Sequence, residues 1–181
     1  MVNIFFDFNV YPFSAGIAQH TSPEDIGIID ECVLKGHSST WDMCDALKKK
    51  LPRDIDVVIY GDASGSNKSI TAKNNASNYQ IIDDELRGWF KSITYKVPRS
   101  NGAVKHRVDC MNAKLSKRYL KINKRCVKLT RDLEQVTYTE KGDVDGSNIE
   151  LTHISDALGY YINFEFPIVK IKLNRTTTEQ I

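Results

Sequence analysis

The sequence predicts an α/β fold with a mixed central sheet, in which an antiparallel three-stranded meander and parallel strands are flanked by helices. Three apolar or alternating runs at residues 2–8, 13–20 and 25–34 are separated only by short turns, which is typical of a meander. A helical repeat then ends at Pro52, and a β-branched run at residues 55–60 follows it. A strand reached through a crossover helix is expected to lie parallel to its neighbour in the sheet.

The second half of the chain is predicted to be mostly helical. The spacing of apolar residues predicts a strand at 93–97 and helices at 77–91, 103–118, 123–136 and 152–166. Between the last two helices, VTYT and KGDVDGSN predict a short strand and a hairpin turn. The resulting order, βββαβαβαα(β)α, is that of the RNase H-like fold, and we expect one domain over residues 1–181.

The composition is that of a globular protein and argues against a membrane span. Of the 181 residues, 41% are apolar and 27% are charged. No run approaches about 18 consecutive apolar residues, the length that a membrane helix needs. The start, MVNIFFDFNV, lacks the basic region of a signal peptide, so we do not expect secretion. The four cysteines form no CxxC pair and are expected to be buried, reduced thiols.

The positive charge of the chain is concentrated in one segment. Residues 99–131 contain eleven Lys or Arg residues and one acid, Asp109, although the whole chain carries a net charge of only +2. A basic segment on an otherwise acidic body indicates a surface for a polyanion such as nucleic acid. The alternative is a solvated helix face that is rich in lysine.

Two loops imitate ligand-binding motifs without matching them. The loop GDASGSNKS, which begins at Gly61, has its second Gly one place too early for a GxxxxGK[ST] phosphate loop, so no ATPase is predicted. The sequence DVDGSN at residues 143–148 has its Gly two places too early for a calcium loop, and we interpret it as the hairpin turn. The four histidines, His20, His37, His106 and His153, do not pair at metal-ligand spacing.

Three aspartates occupy positions where a carboxylate is unusual for a purely structural residue. Asp7 interrupts the apolar strand IFFDF, where an unpaired buried carboxylate would be costly. Asp62 follows the apolar strand VVIYG at its carboxyl end, which is the edge where open α/β sheets bind ligands. Asp156 lies one turn into the last predicted helix among apolar residues, three positions after His153.

The predicted fold brings these aspartates together. In the RNase H-like order the first and fourth strands are neighbours and the final helix packs beside them, so Asp7, Asp62 and Asp156 are expected to converge. Three close carboxylates repel one another unless cations lie among them, and Mg²⁺ or Mn²⁺ suits such oxygen ligands. Two ions about 4 Å apart would activate a water and stabilise the leaving 3′ oxygen in phosphodiester hydrolysis. The sequence therefore predicts that the three aspartates are catalytic and bind metal.

Each of these residues also has a structural alternative. Asp7 could face water from an edge strand, Asp62 could begin a turn, and Asp156 could stabilise a helix N-terminus through the dipole. His153 could assist the site or cap its helix. The metal-site hypothesis is favoured because all three aspartate alternatives would have to hold together.

Six stretches that cover nearly the whole chain carry a resemblance to a known family. They are FFDFNVYPFSAGIAQ, IIDECVL, VVIYGDASGSNKS, VKHRVDCMNAKL, INKRCVKLTRDLEQVTY and THISDALGYYI. In these stretches the chain resembles the C-terminal nuclease domain of the large terminase subunit of tailed bacteriophages, the motor and nuclease that packages viral DNA. The family's three catalytic acids correspond by motif to Asp7 in DFN, Asp62 in GDASG and Asp156 in SDALGY.

The resemblance implies a function and its context. It implies a metal-dependent endonuclease, with Mg²⁺ or Mn²⁺ as cofactor, that cuts concatemeric double-stranded viral DNA in the host cytoplasm. The implied partners are an ATPase domain, the portal protein and the small terminase subunit. The family's ATPase domain is absent from this sequence, so we expect no translocation by this chain. Glu31 lies in a matching motif and is expected to support the site or the structure rather than hold metal.

The basic segment supplies the candidate DNA contacts. These are Arg99, Lys105, Arg107, Lys117 and Arg118. Two alternatives to the leading hypothesis stay open. A resolvase or RNase H would keep the fold and act on branched DNA or hybrids. A non-catalytic module would dock the packaging motor on the portal and grip DNA, although clustered acids give no advantage to a simple DNA grip.

Overall fold

A six-stranded mixed sheet forms the centre of the part of the chain that the structure describes. The computed structural model describes residues 1–8, 11–36, 38–67, 75–141, 143–148 and 150–168. The strands are β1 Val2–Asp7, β2 Phe13–Ser22, β3 Asp25–Leu34, β4 Asp56–Gly61, β5 Ser92–Tyr95 and β6 Leu120–Ile122. They lie side by side in the order β5-β4-β1-β2-β3-β6.

Helices within the described residues cover both faces of this sheet. They are α1 Thr40–Lys50, α2 Asn78–Leu86, α3 Val104–Ser116, α4 Val127–Gln135 and α5 His153–Glu165, with a short 3₁₀ helix at Ala63–Ser66. Within those described ranges, no helix has the length and apolar character that crossing a membrane would require.

The predicted meander and the predicted parallel strands are both present. β1 pairs antiparallel with β2, and β2 pairs antiparallel with β3. β4 lies parallel to β1, β5 parallel to β4, and β6 parallel to β3. The predicted fold class, a mixed sheet flanked by helices, is therefore confirmed, and β1 lies between β2 and β4.

Two short elements differ from the sequence prediction. β6 is not predicted, because three residues around the exposed Lys121 are too few to show an apolar run or an alternation. The strand predicted from VTYT is reduced to one antiparallel bridge between Tyr138 and Val144. Beside this bridge the Thr139 N–H donates to the Asp143 carbonyl and the Asp145 N–H donates to the Thr137 carbonyl, both at 2.8 Å, so Asp143 and Asp145 pair across the hairpin and do not form the turn predicted at 143–148.

The four cysteines are free and buried, as predicted. Burial raises the pKa of the Cys32 thiol to about 11 and that of Cys44 to about 12, so these thiols stay protonated at neutral pH. Other predictions fall outside the described residues: they concern His37, the end of the GDASGSNKS loop and the tail of the chain. A single domain over residues 1–181 accordingly stays a prediction.

Successive side chains of the central strands point to opposite faces of the sheet and therefore pack into two different hydrophobic cores. In β1, Phe6 packs into a core with α1 and α2, whereas Phe5 packs into a core with α3, α4 and α5. In β4, Ile59 and Tyr60 divide between the same two cores. Because side chains two residues apart share a face, the Asp7 side chain lies on the α5 side of the sheet.

A glutamate of β3 caps α4. α1 and α2 begin with capping boxes at Ser39 and Ser77, but the N-cap residues of α4 and α5 make no side-chain cap. Instead, the carboxylate of Glu31 accepts hydrogen bonds from the backbone N–H groups of Lys128 and Leu129 at 2.7 and 2.9 Å. Of the supporting roles expected for Glu31, this contact is structural.

An aspartate of α4 caps α5 in the same way. The carboxylate of Asp132 is 2% exposed and accepts from the Ser155 N–H at 3.4 Å. Burial raises the pKa of Asp132 to about 6, although the N–H groups of Ser155 and Ile154 and the nearby His153 lower it. Two carboxylate caps thus link β3 to α4 and α4 to α5.

Glu31→Ala is expected to lower the free energy of unfolding by about 1–2 kcal/mol, because it leaves two N–H groups of α4 without their acceptor. Chemical denaturation at neutral pH measures the loss. Glu134→Ala, at an exposed position of the same helix, is the matched control and should change stability by less than about 0.5 kcal/mol. Equal effects from the two variants would contradict the cap.

Asp132→Asn is expected to change how stability depends on pH. In the folded state the pKa of Asp132 is about 6, above its ordinary 3.8, so its neutral form favours folding at low pH and this contribution is lost as pH rises through about 6. Asn keeps an acceptor oxygen without the charge. Between pH 4 and pH 8 the variant should therefore gain about 1–3 kcal/mol relative to the wild type.

Urea denaturation across that pH range makes the comparison. Asp84→Asn, on the exposed surface of α2, controls for the loss of one negative charge. A stability difference between Asp132→Asn and the wild type that stays constant from pH 4 to pH 8 would contradict a raised pKa.

Candidate active site

Two of the predicted aspartates lie at one edge of the sheet. β1 and β4 are parallel neighbours, and Phe6 pairs with Gly61, so Asp7 and Asp62 follow next to each other in the two strands. Both side chains are buried, with Asp7 4% and Asp62 7% exposed. The pairing of these two strands thus places two carboxylates side by side at a position with little solvent.

The turn after β4 holds Asp62 in place. Asp62 Oδ1 accepts hydrogen bonds from the Ser64 hydroxyl at 2.8 Å and the Gly65 N–H at 2.9 Å. The Tyr79 hydroxyl donates to the Asp62 carbonyl at 2.8 Å. A Cβ on Gly65 would lie 2.5 Å from the Phe8 ring, so the close packing of this turn needs a residue without a side chain. Asp62 therefore does begin a turn, and the turn fixes one of its carboxylate oxygens.

Helix α5 brings the third aspartate and a histidine to this edge. His153, in its first turn, places Nδ1 3.0 Å from Asp7 Oδ2. Asp156, one turn further on, accepts a hydrogen bond on Oδ1 from Arg107 Nη2 at 3.0 Å. His153 therefore contacts a predicted catalytic carboxylate, and Asp132 caps the helix. Assistance by His153 at the site stays a prediction.

The guanidinium of Arg107 lies inside the site. Besides the bond to Asp156, its Nη1 donates to the Gly102 carbonyl at 3.2 Å, and its Cζ lies 4.3 Å from the centre of the Tyr160 ring. The side chain is only 6% exposed. In this structure Arg107 is buried and paired with an acid, so it does not lie on an exposed surface, and its contact with DNA stays a prediction.

The three aspartates share one electrostatic environment. Burial raises the pKa of Tyr160; Arg107 opposes this shift, and the charges of Asp7, Asp62 and Asp156 add to it. Burial also raises the pKa of Asp156, against the hydrogen bond and positive charge of Arg107 and together with the negative charge of Asp7. All three negative charges therefore act on the Tyr160 hydroxyl, and that of Asp7 also acts on Asp156.

The donor types at this edge suit a hard divalent cation, but the protein already engages each carboxylate. Carboxylate oxygens are the ligands that Mg²⁺ and Mn²⁺ prefer. Over the described ranges, however, no three His, Cys, Asp or Glu side chains are grouped so that they could hold a metal ion. Among the protein partners of these carboxylates, Arg107 on Asp156 carries a fixed positive charge and therefore opposes the approach of a second cation.

An open cleft connects Asp156 with solvent. The cleft has a volume of about 460 Å³ and is lined by the start of α3, the start of α5 and the hairpin around Tyr138. Lys105 and Asp109 contribute to its wall. Asp156 is consequently 32% exposed, much more than the other two aspartates, and is the carboxylate that an incoming ligand reaches first.

The predicted DNA contacts divide between two ends of α3. Arg99 and Lys105 lie at its N-terminal side, where the Asn101 side chain accepts from the Ala63 N–H beside Asp62 at 2.7 Å.

Lys117 and Arg118 lie about 18 Å further along the helix axis. There, Lys114 donates to the carbonyl of Pro23 in the β2–β3 turn, at the opposite edge of the sheet from Asp7. The basic segment therefore does not form one surface at the site.

Sequence reasoning missed the roles of Asp132 and Arg107, although a signal for both is present. Asp132 follows Leu129 by three residues, and Arg107 precedes Met111 by four, so each lies on the buried side of its helix. A charged residue on an apolar helix face indicates a buried partner. The identity of that partner was not available from spacing, because it lies on another helix.

When this chain is compared with known proteins, the matches that are found are to solved structures. No family model matches the sequence, and no curated protein sequence matches it. The nuclease domain of the bacteriophage P22 large terminase is similar, with a TM-score of 0.62 and 14% identity over 92% of this chain and 82% of that chain.

Two further structures come from a phage and a poxvirus. The large terminase of a thermophilic bacteriophage, in complex with ATP-γ-S, has a TM-score of 0.61 at 16% identity over 91% of this chain, which spans only 40% of that protein's length. The fowlpox virus resolvase, in complex with Holliday junction DNA, has a TM-score of 0.50 at 12% identity over 90% of this chain and 97% of that chain.

At these identities the likeness concerns the fold. The P22 domain is similar over nearly all of this chain. The chain therefore has the RNase H-like fold of the phage terminase nuclease domains, which is the fold that its sequence motifs predict.

Proposed function

We propose that this chain is an Mg²⁺- or Mn²⁺-dependent endonuclease that cleaves concatemeric double-stranded viral DNA during genome packaging. The observation that carries the proposal is the placement of Asp7 and Asp62 at the ends of adjacent parallel strands, with Asp156 beside them on α5. Buried acids at that position are expensive without a positive charge to neutralise them, which is the reason to infer a cation site. The similarity to the P22 nuclease domain supports the choice of reaction.

The chain's own residues have distinct roles in this proposal. Asp7, Asp62 and Asp156 would hold the ions, and the bonds from Ser64 and Gly65 would keep one Asp62 oxygen in a fixed direction. When bound, two divalent ions would supply the charge that activates a water and stabilises the leaving 3′ oxygen. His153 would orient the Asp7 carboxylate through its contact at 3.0 Å.

The proposed setting follows from the same similarity. The protein of the thermophilic phage is a large terminase that was solved with ATP-γ-S and is longer than this chain. We accordingly propose that the chain works beside an ATPase domain, the portal protein and the small terminase subunit in the cytoplasm of the phage-infected host, with double-stranded DNA as its substrate.

Asp62→Asn is expected to reduce plasmid cleavage by more than about 100-fold, beyond the loss expected for a residue that only supports a metal ligand. The assay follows conversion of supercoiled plasmid to nicked and linear forms with Mn²⁺ or Mg²⁺. Asp84→Asn is the matched control, since it removes one carboxylate from the exposed surface of α2. Circular dichroism and thermal unfolding verify that both variants are folded.

The outcome separates the nuclease from a non-catalytic module. Wild-type protein that binds DNA but shows no metal-stimulated cleavage would favour a module that docks the packaging motor and grips DNA. If the folded Asp62→Asn variant still cleaves the plasmid, the proposal that the three aspartates form the active site is wrong.

A resolvase is the second candidate, because the fowlpox enzyme matches this chain over 97% of its own length. The lower TM-score, 0.50 against 0.62, makes it the weaker of the two. Competition among plasmid, four-way junction and RNA–DNA hybrid in one reaction decides between them. Preferential cutting of the junction would replace genome cleavage with resolution as the proposed activity.

The placement of the basic residues predicts unequal effects on DNA binding. A double variant with Arg99→Gln and Lys105→Gln is expected to weaken duplex binding several-fold and to lower the slope of log K against log salt by about 2, one unit for each lost phosphate contact. Lys117→Gln with Arg118→Gln, at the other end of α3, should have the smaller effect. Fluorescence anisotropy with labelled duplex in EDTA measures both, and a larger loss from the second pair would contradict the assigned surface.

A further inference from the structure

Arg107 is a buried cation with an incomplete set of hydrogen bonds. Its Nη2 and Nη1 donate to Asp156 and to the Gly102 carbonyl, but its Nε is buried without a hydrogen-bond partner in the described part of the chain. A buried N–H that lacks an acceptor destabilises the folded state. Hydrogen bonding alone therefore does not account for the position of this guanidinium.

The negative charge of nearby aspartates accounts for the position of the Arg107 guanidinium. Asp156 is 3.0 Å away, and the charge of Asp7 acts on the same carboxyl group. The Tyr160 ring offers a face to the guanidinium at 4.3 Å, a contact that favours a cation. A Cβ on Gly159 would lie 3.4 Å from Arg107 Cβ, an ordinary van der Waals distance, so the stem of the arginine packs directly on α5. The site is thus shaped around a positive charge that the protein itself supplies.

We propose that Arg107 is a positioning residue that acts as a built-in counter-cation: it holds Asp156 in the metal-free site and sets how tightly a divalent cation binds there. This inference rests on the proposed function. An incoming cation and the guanidinium compete for the negative charge of the same carboxylate, because Arg107 already donates to Asp156 Oδ1.

The competition between Arg107 and a divalent cation follows from the charges of the Arg107–Asp156 ion pair. Removing the buried arginine leaves the charge of Asp156 uncompensated beside that of Asp7, so the Asp156 carboxylate attracts a replacement cation. A divalent ion that neutralises the acids also removes the attraction that keeps Arg107 on Asp156. The guanidinium is then free to turn toward the open cleft at Asp156, which Lys105 already lines with positive charge.

The test compares Mn²⁺ affinity in the absence of DNA by isothermal titration calorimetry. Arg107→Met keeps the length and apolar stem of the side chain without its charge. It should bind Mn²⁺ at least about tenfold more tightly than wild type, the equivalent of one hydrogen bond to a charged group. Arg107→Lys keeps a positive charge and should stay close to wild type. If Arg107 had a purely structural role, the Arg107→Met and Arg107→Lys variants would not differ in Mn²⁺ affinity.

A second ion pair on α5 provides the matched control. Lys96 donates to Glu165 at 2.6 Å, nine residues or about 13 Å beyond Asp156 along the helix. Lys96→Met removes a lysine from this pair and should leave Mn²⁺ affinity unchanged. A rise in affinity equal to that of Arg107→Met would show a general charge effect and would overturn the proposal.

The remaining outcomes distinguish this inference from the proposed function. Equal Mn²⁺ affinity in wild type and Arg107→Met overturns the counter-cation and leaves the nuclease intact. Absence of binding in both proteins overturns the metal-dependent nuclease and the inference with it. If Arg107→Met does not fold, the ¹⁵N signals of the Arg107 side chain in wild type give the answer. They should shift with the midpoint of Mg²⁺ binding, and unchanged signals at saturation overturn the proposal.

Discussion

The structure depends on how negative charge is kept at one edge of the sheet. Parallel pairing of β1 with β4 forces Asp7 and Asp62 to lie side by side, and both are almost fully buried. Such carboxylates persist only where donors or cations meet them. His153, the turn after β4 and Arg107 supply these partners to Asp7, Asp62 and Asp156. Every feature of the candidate site follows from this requirement.

The position of α5 decides whether the requirement can be met, because this helix carries both His153 and Asp156. Its N-terminus is capped by Asp132 from α4. Near its C-terminus, Glu165 accepts hydrogen bonds from Tyr60 at 2.9 Å and Lys96 at 2.6 Å. Its middle is held by stacking of Tyr161 on Phe5, with ring centres 5.5 Å apart. A helix fixed at three points presents its acids at a defined height above the strand ends.

The same geometry relates the site to its proposed substrate. Lys105, at the N-terminal end of α3, lines the cleft at Asp156, whereas Lys117 and Arg118 lie near the opposite edge of the sheet. A duplex at the acids would thus meet positive charge beside the cleft without an extended basic groove. Phosphate contacts of this kind position DNA and read little of its sequence.

The sequence by itself determined the element types, the meander, the crossover and the positions of Asp7, Asp62 and Asp156, because alternation, helical spacing and interrupted apolar runs are local properties of the chain. It did not reveal β6, whose three residues are a strand only because β3 offers an open edge. It also assigned Arg107 to a DNA-binding face, since a basic segment looks the same in sequence whether its charges point outward or inward. Only the packing of α3 against α5 decided that this arginine meets Asp156, because a contact across 49 residues depends on which helix faces adjoin.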